Sequence, residues 1–353
     1  MKILFEHDYL YYLPQFEPMI QWLKRQGNHN IFVSLNESVS PQEKSIFTRE
    51  IERLGVEHVR GNFEPQRRRI LKDMNFDLIF VGNKSSISSI KGKNSFCVMV
   101  YHGIGLKKSY YSDLSEEMDL ICVESEERAK DLNEMGFESI TTGFTKLDPL
   151  FNPKNDLSER KQVLYAPTYF PSSLQKTIPV FSEFKEFDFQ IKLHHFYWTH
   201  SRYVTIRQQL EQNIKPFSNI HLCPFDAYSI LPFYENAHGL ISDFSSTLFE
   251  FLVMDRPIIQ TTYYSLRLKY KLFPSLLKKR MDKERMSQVD FTTHCNSPHQ
   301  LVAVCENELA SPNRKSIERK IARNRFLGPC DGQATQRAMN ALNERGIPID
   351  GRE

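Results

Sequence analysis

Residues 98–112 read VMVYHGIGLKKSYYS. An apolar run ends at Tyr101, and His102, Gly103, Gly105, Lys107 and Lys108 follow at once. An imidazole that titrates near neutral pH is the usual side chain for taking a proton from an attacking hydroxyl. The two glycines permit close backbone approach or a positive φ, and paired ammonium groups suit a phosphate. The same residues also make an ordinary turn with a solvated basic edge. On this segment alone both readings stand.

Three other segments place polar residues at the end of an apolar run. In HGLISDFSSTLFEFLVMDRPII (238–259), Ser245 and Ser246 stand at the start of a strongly apolar helix. A helix start offers unpaired N–H groups and a positive dipole end, and the hydroxyls add donors for a phosphate. Plain capping is the other reading, with Ser245 as N-cap or Thr247 and Glu250 as a capping box. In IKLHH (191–195), Lys192 alternates to the face opposite Leu193 and His194 emerges where the strand stops, either as a phosphate contact or acid or as a solvated loop histidine. In VLYAPTY (163–169), Pro167 and Thr168 form a turn whose backbone and hydroxyl suit a ligand.

The elements that must position these residues follow from hydrophobic periodicity. Strands are expected at 2–6, 30–35, 76–82, 95–101 and 118–124. Helices are expected at 13–27, 40–55 and 125–136, with Gly27, Gly55 and Gly136 as stops. The pattern restarts after the proline-rich, polar stretch 143–162. It gives strands at 162–168, 187–195, 219–224, 238–244 and 256–262. Helices follow at 201–214, at 226–237 with a kink at Pro232, and at 246–255. Strand–helix alternation predicts parallel sheets covered on both faces. The fold class is therefore α/β, with two Rossmann-like domains facing across a cleft, an N-terminal one over 1–150 and a C-terminal one over 151–353. The last helix is expected to pack back on the N-terminal domain. In such sheets ligands gather at the carboxyl ends of strands, where all four segments lie.

Composition narrows the function classes. A chain of 353 residues exceeds what one core usually organises. A net charge of +3 gives no electrostatic case for nucleic acid, and no nucleic acid partner is expected. The six cysteines match no zinc spacing and read as reduced core thiols of a cytosolic protein. No carboxylate cluster calls for a divalent cation, and no cofactor is expected. Glu6, His7 and Asp8 break the N-terminal apolar run, so no secretory signal is read there. No window reaches the apolar length of a membrane span. The stretch from Arg267 to Arg285 interleaves Lys and Arg with Leu, Phe and Tyr. It suits an anionic membrane surface, an anionic polymer, or a solvated face.

Taken in order, YHGIGLK (101–107), GFTKLD (143–148), YAPTY (165–169), KLHH (192–195), SDFSSTLFEFLVMDRPII (242–259) and DGQATQR (331–337) resemble the motif set of the CDP-glycerol glycerophosphotransferase family. This family holds the polymerases and primases of teichoic-acid-like polymers. The resemblance implies a GT-B-like fold and transfer of glycerol phosphate from CDP-glycerol to an acceptor hydroxyl, with release of CMP. It implies His102 as general base and His194 as the second catalytic residue, with His195 an open alternative in its place. It implies donor contacts from Lys192, His195, Pro167, Thr168, Asp243, Ser245, Ser246, Thr247, Arg256, Asp331 and Gly332. Gly103, Gly105, Lys107, Lys108 and Lys146 fall to the acceptor or phosphate side. The implied partners are a CDP-alditol donor, glycerol or ribitol, and a lipid-linked saccharide or polyol-phosphate acceptor of teichoic acid, capsule or lipopolysaccharide synthesis. The implied location is cytoplasmic, peripheral on the inner face of the plasma membrane. Three departures stand out: Ile104-Gly105 replaces Thr-Pro, His195 replaces a proline, and residues after 259 are basic instead of acidic. A glycosyltransferase of the same fold with a nucleotide-sugar donor is the alternative.

Overall fold

The structure, a computed structural model, describes residues 1–350 apart from 28, 85, 102, 105–112, 153–156, 274 and 276–286. The chain divides into two compact units. The first draws on Met1–His102, Tyr111–Asn152 and Arg325–Glu353, and the second is built on Pro153–Asn324.

The first unit holds seven parallel strands: β1 (Lys2–His7), β2 (Asn30–Leu35), β3 (Glu57–Val59), β4 (Leu78–Val81), β5 (Phe96–Val100), β6 (Leu120–Val123) and β7 (Ser139–Thr141). Their order is β3-β2-β1-β4-β5-β6-β7, with Ile3 in register with Ile31 on one side and Leu78 on the other. Ile3, Leu4, Phe5, Leu78, Ile79 and Phe80 are fully buried, as a sheet covered on both faces requires. Helix α1 (Leu13–Gln26) has a proline in its first turn and ends at Gly27 with φ +78°. Helix α2 (Pro41–Leu54) starts in a reciprocal capping box between Ser40 and Glu43 and ends at left-handed Gly55. Helix α3 (Glu64–Met74) was not expected. Its buried residues are Leu71 and Arg67, the latter paired with Glu6 and Glu64 at 2.6–2.7 Å, so half of its inward face reads as polar in sequence. The final helix, Ala334–Asn343, packs on α1, where Trp22 Nε1 donates to Gln336 Oε1 at 2.8 Å. The segment 325–353, which the sequence reading put in the domain 151–353, thus belongs to the first unit.

The second unit holds six parallel strands: β8 (Gln162–Tyr165), β9 (Asp188–Ile191), β10 (Ile220–Leu222), β11 (Gly239–Ser242), β12 (Ile258–Thr261) and β13 (Thr293–Cys295). Their order is β10-β9-β8-β11-β12-β13. Phe181, Phe184, Phe189, Ile191, Leu210 and Ile241 are part of its core. The elements here are shorter than expected. The helix expected over 246–255 is one α-turn, Thr247–Glu250, continued as 3-10 turns over Phe251–Met254. It stops at Asp255, held at φ +46° while its side chain accepts from Ser316 and Arg319. The helix expected over 226–237 is Leu231–Asn236. Pro232 sits in its first turn, where a missing N–H costs nothing, and makes no kink. Strand β9 stops at Ile191, so Lys192 to His195 form a loop.

Candidate active site

In the second unit the strand order reverses at β8, with β9 on one side and β11 on the other. The loops after β8 and β11 therefore leave at the topological switch point, where open α/β sheets bind ligands. These loops carry YAPTY and SDFSS. One buried carboxylate ties them together. Asp243, fully buried, accepts from Thr168 N–H at 2.7 Å, Ser173 N–H at 2.9 Å and Ser173 Oγ at 3.1 Å. Ser242 Oγ donates to Ala166 O at 2.6 Å and meets Thr247 Oγ1 at 2.8 Å. A hydroxyl network backs the clamp: Tyr165 contacts Ser173 at 2.7 Å and Thr177 at 3.2 Å, and Thr177 contacts Tyr263 at 3.2 Å. The strand ends are thus held rigidly by internal bonds. Ser245 and Ser246 are left half-exposed on the turn, with Ser245 Oγ accepting from Thr247 N–H at 3.3 Å.

His194 lies beside this loop pair. Its ring is 4.6 Å from that of Tyr169 and 4.7 Å from that of Phe196. The Phe196 N–H donates to His194 Nδ1 at 3.3 Å, so the neutral ring carries its proton on Nε2. His195 differs. Burial first, then the charges of His200 and Lys192, push its pKa down to about 3. Lys192 is half-buried, and its N–H donates to Tyr165 O at 2.9 Å.

Two residues with expected donor contacts have their charged groups engaged elsewhere. Arg256 Nη1 donates to the carbonyls of Tyr234, Glu235 and Ala237 at 2.7–3.3 Å, closing the C-terminus of the helix Leu231–Asn236. The Asp243 carboxylate faces the Thr168 and Ser173 amides. Both set loop geometry through the protein's own polar groups.

In the first unit, β5 delivers Tyr101, buried, with the Arg128 guanidinium 4.9 Å above its ring and Arg128 Nε on Glu124 at 2.7 Å. Gly103, which falls in the second unit, is buried; His102, Gly105, Lys107 and Lys108 lie outside the described residues. GFTKLD and DGQATQR, far apart in sequence, form one joint. Asp148 accepts from the N–H groups of Ala334 at 3.0 Å and Thr335 at 2.8 Å, capping the final helix. Arg337 donates to Thr142 O at 2.7 Å and closes on Asp331 at 2.8 and 2.9 Å. Gly332 has φ +78°, and a Cβ there would meet Phe151 Cβ at 2.7 Å. Asp331 and Gly332, assigned from sequence to the donor pocket, are therefore members of the first unit, engaged with Arg337 and Phe151. Lys146 is half-buried, with its ammonium 6.0 Å from the Phe144 ring centroid.

Two parallel α/β sheets, each with loops leaving at a topological switch point, define a fold of the GT-B type. The chain belongs to the CDP-glycerol:poly(glycerophosphate) glycerophosphotransferase family, whose model matches residues 76–344. It is 22% identical, over 396 aligned positions, to the teichoic acid glycerol-phosphate primase of Bacillus subtilis (strain 168), covering 97% of this chain and 99% of that one. In fold it resembles the wall teichoic acid polymerase TagF, with a TM-score of 0.70 at 14% identity over all of this chain and 90% of that one. It also resembles the UDP-GlcNAc 2-epimerase of Neisseria meningitidis, with a TM-score of 0.60 at 13% identity over 98% of this chain and 100% of that one. The chain is a CDP-glycerol glycerophosphotransferase-like transferase, as its motif set implied.

Among the described residues no group of His, Cys, Asp and Glu is placed to hold a metal ion, and no helix is long and apolar enough to cross a membrane.

Proposed function

We propose that the chain transfers glycerol phosphate, or a related alditol phosphate, from its CDP ester to a hydroxyl of a lipid-linked saccharide or growing polymer in cell-surface polymer synthesis. The observation that carries this is the Asp243 clamp, which brings the YAPTY and SDFSS loops together at the β8/β11 switch point. The acceptor oxygen attacks the phosphorus that bears the glycerol. The bond from that phosphorus to the bridging oxygen breaks, and CMP leaves with that oxygen and its electron pair. His102 takes the acceptor proton. Such transfers depend on alignment and charge stabilisation more than on covalent help. Ser245, Ser246, Thr168 and Lys192 supply donors for the diphosphate, and His194 supplies its Nε2–H. Between the two adjacent histidines, His194 is the working residue, because its ring lies against Tyr169 of the clamped loop, whereas burial lowers the pKa of His195. Asp331, Gly332 and Arg256 act by holding the backbone. Incubation with CDP-glycerol, CDP-ribitol and UDP-sugars tests the reading: release of CMP supports it, and release of UDP alone points to a glycosyltransferase.

The enzyme reaches a lipid-linked acceptor by docking on an anionic membrane surface. The short helix Leu268–Leu272 exposes Leu268 and Leu272, with Phe273 after it, beside Lys269 and Lys271. Apolar side chains among ammonium groups suit a headgroup layer. The rest of the basic stretch, 276–285, lies outside the described residues. Co-sedimentation with anionic but not neutral vesicles checks this.

A further inference from the structure

After β12 the chain turns back across the strand order and touches both clamped loops. Tyr264 meets Phe244 of SDFSS edge-on, with ring centroids 5.1 Å apart. The Ser265 N–H donates to Ser172 O at 2.8 Å, an antiparallel bridge to the loop after β8. Arg267 and Tyr270 then close on Phe170 of that loop, the guanidinium 4.2 Å from the ring centroid and the tyrosine ring 4.8 Å from it. Arg267 Nη2 also donates to the Tyr203 hydroxyl. Phe170 and Tyr203 are both buried. Tyr203 packs edge-on against Tyr169 at 6.0 Å, and Tyr169 lies 4.6 Å from the His194 ring. Arg267 opens the basic stretch that, in sequence, suits a membrane, a polymer or solvent. Its charged group instead engages two buried aromatic residues.

We propose that Arg267 is a positioning residue for the donor site, holding the YAPTY loop and His194 in place through Phe170 and Tyr203. The proposal rests on the reading of these loops as the donor site. Asp243 grips the loop after β8 at Thr168 and Ser173. The strap after β12 grips it between those points, at Phe170 and Ser172. A loop held only at its ends keeps freedom in its middle. Pinning the middle removes that freedom before the donor arrives, so less ordering opposes binding. Arginine suits the place. Its planar guanidinium covers an aromatic face and donates from its edge at the same time, which a lysine ammonium does not do. At 4.2 Å no water fits between charge and ring, the condition under which such a contact is strongest.

The test uses the full chain, first without donor and then with it. Without donor, hydrogen exchange is followed at the Thr168 and Ser173 amides, which report opening of the loop, and at the amides of β9, which report the sheet. Arg267→Ala is expected to speed exchange at Thr168 and Ser173 at least about tenfold and to leave β9 unchanged. Tyr203→Phe, which removes a single oxygen, is expected to speed the same amides about threefold. With donor, the Kd for CDP-glycerol is measured in a double-mutant cycle of Arg267→Ala and Phe170→Leu. Each single change is expected to raise Kd about tenfold, and the double variant is expected to rise no further. Unchanged exchange at Thr168 and Ser173 in Arg267→Ala, equal acceleration in β9, or effects on Kd that multiply overturn the proposal. Effects that multiply mark Arg267 as a direct contact to the diphosphate instead. If the unaltered chain does not bind CDP-glycerol, the donor-site reading falls, and the exchange measurement still decides whether Arg267 holds the loop.

Discussion

Asp243 and Ser173 are joined twice, by the Ser173 N–H at 2.9 Å and its hydroxyl at 3.1 Å, both to the same carboxylate oxygen. The other oxygen takes the Thr168 N–H at 2.7 Å. A fully buried carboxylate is costly unless its lone pairs are filled, and here backbone amides from the loop after β8 fill them. Replacement by alanine strands two buried N–H groups. Each stranded group costs about 1–3 kcal/mol, so Asp243→Ala is expected to lose roughly 2–6 kcal/mol in urea unfolding. The loop that carries Thr168 is released with it, so titration with CDP-glycerol is expected to show weaker binding. Unchanged affinity in a folded Asp243→Ala protein would separate this clamp from the donor site.

The joint between GFTKLD and DGQATQR predicts a different pattern. Asp148 caps the final helix, and removing a cap costs about 0.5–2 kcal/mol. Asp148→Ala is expected to lower the unfolding midpoint while leaving CDP affinity alone, since Asp148 and the final helix belong to the first unit. Gly332→Ala is expected to be at least as harmful, because it combines φ +78° with a collision at Phe151. A large rise in the Kd for CDP at undiminished stability would place Asp331 and Gly332 in the donor pocket.

His7 makes the first unit acid-sensitive. It is fully buried between Phe16 and Phe47, with Nδ1 donating to the carbonyls of Phe5 and Ser34. Burial pushes its pKa from 6.5 down to about 3. Above pH 6.5 the ring is neutral whether folded or unfolded, and no penalty exists. Between pH 6.5 and about 3 the unfolded chain binds a proton that the folded chain refuses. Stability therefore falls with falling pH, by up to about 1.4 kcal/mol per pH unit. His7→Phe is expected to flatten this slope in denaturation measured from pH 7 to 4. An identical slope in the variant would show that the ring accepts a proton in the folded protein. His195, pushed down to about 3 as well, adds a slope of the same sign in the second unit.

The parallel-sheet fold was legible because strands buried on both faces read as apolar runs. Strand β2 and the helix Ser201–Ile214 keep the bounds expected for them. Helix α3 was not legible, since one of its two buried positions is Arg67, and a buried ion pair mimics a surface residue in any hydropathy pattern. Strands β3, β7 and β13 have three residues each with a single apolar side chain, too few for a run to show, whereas the equally short β10 carries Ile220 and Leu222. The strand ends that carry the motifs were legible, but the bonds their polar residues make were not. Spacing does not reveal that the Arg256 guanidinium turns back onto three carbonyls, or that Asp331 meets Arg337.

The account turns on a separation of roles between His102 and the serine-lined turn of the second unit. Single-turnover CMP release and equilibrium binding of CDP-glycerol, measured side by side on His102→Ala and on the Ser245→Ala/Ser246→Ala double variant, test it most directly. His102→Ala is expected to slow CMP release by about 100- to 10,000-fold with donor affinity unchanged, the scale of general base catalysis. The serine variant is expected to lose donor affinity. CMP release from His102→Ala within a few-fold of the unaltered protein, or full donor affinity in the serine variant, would contradict the account.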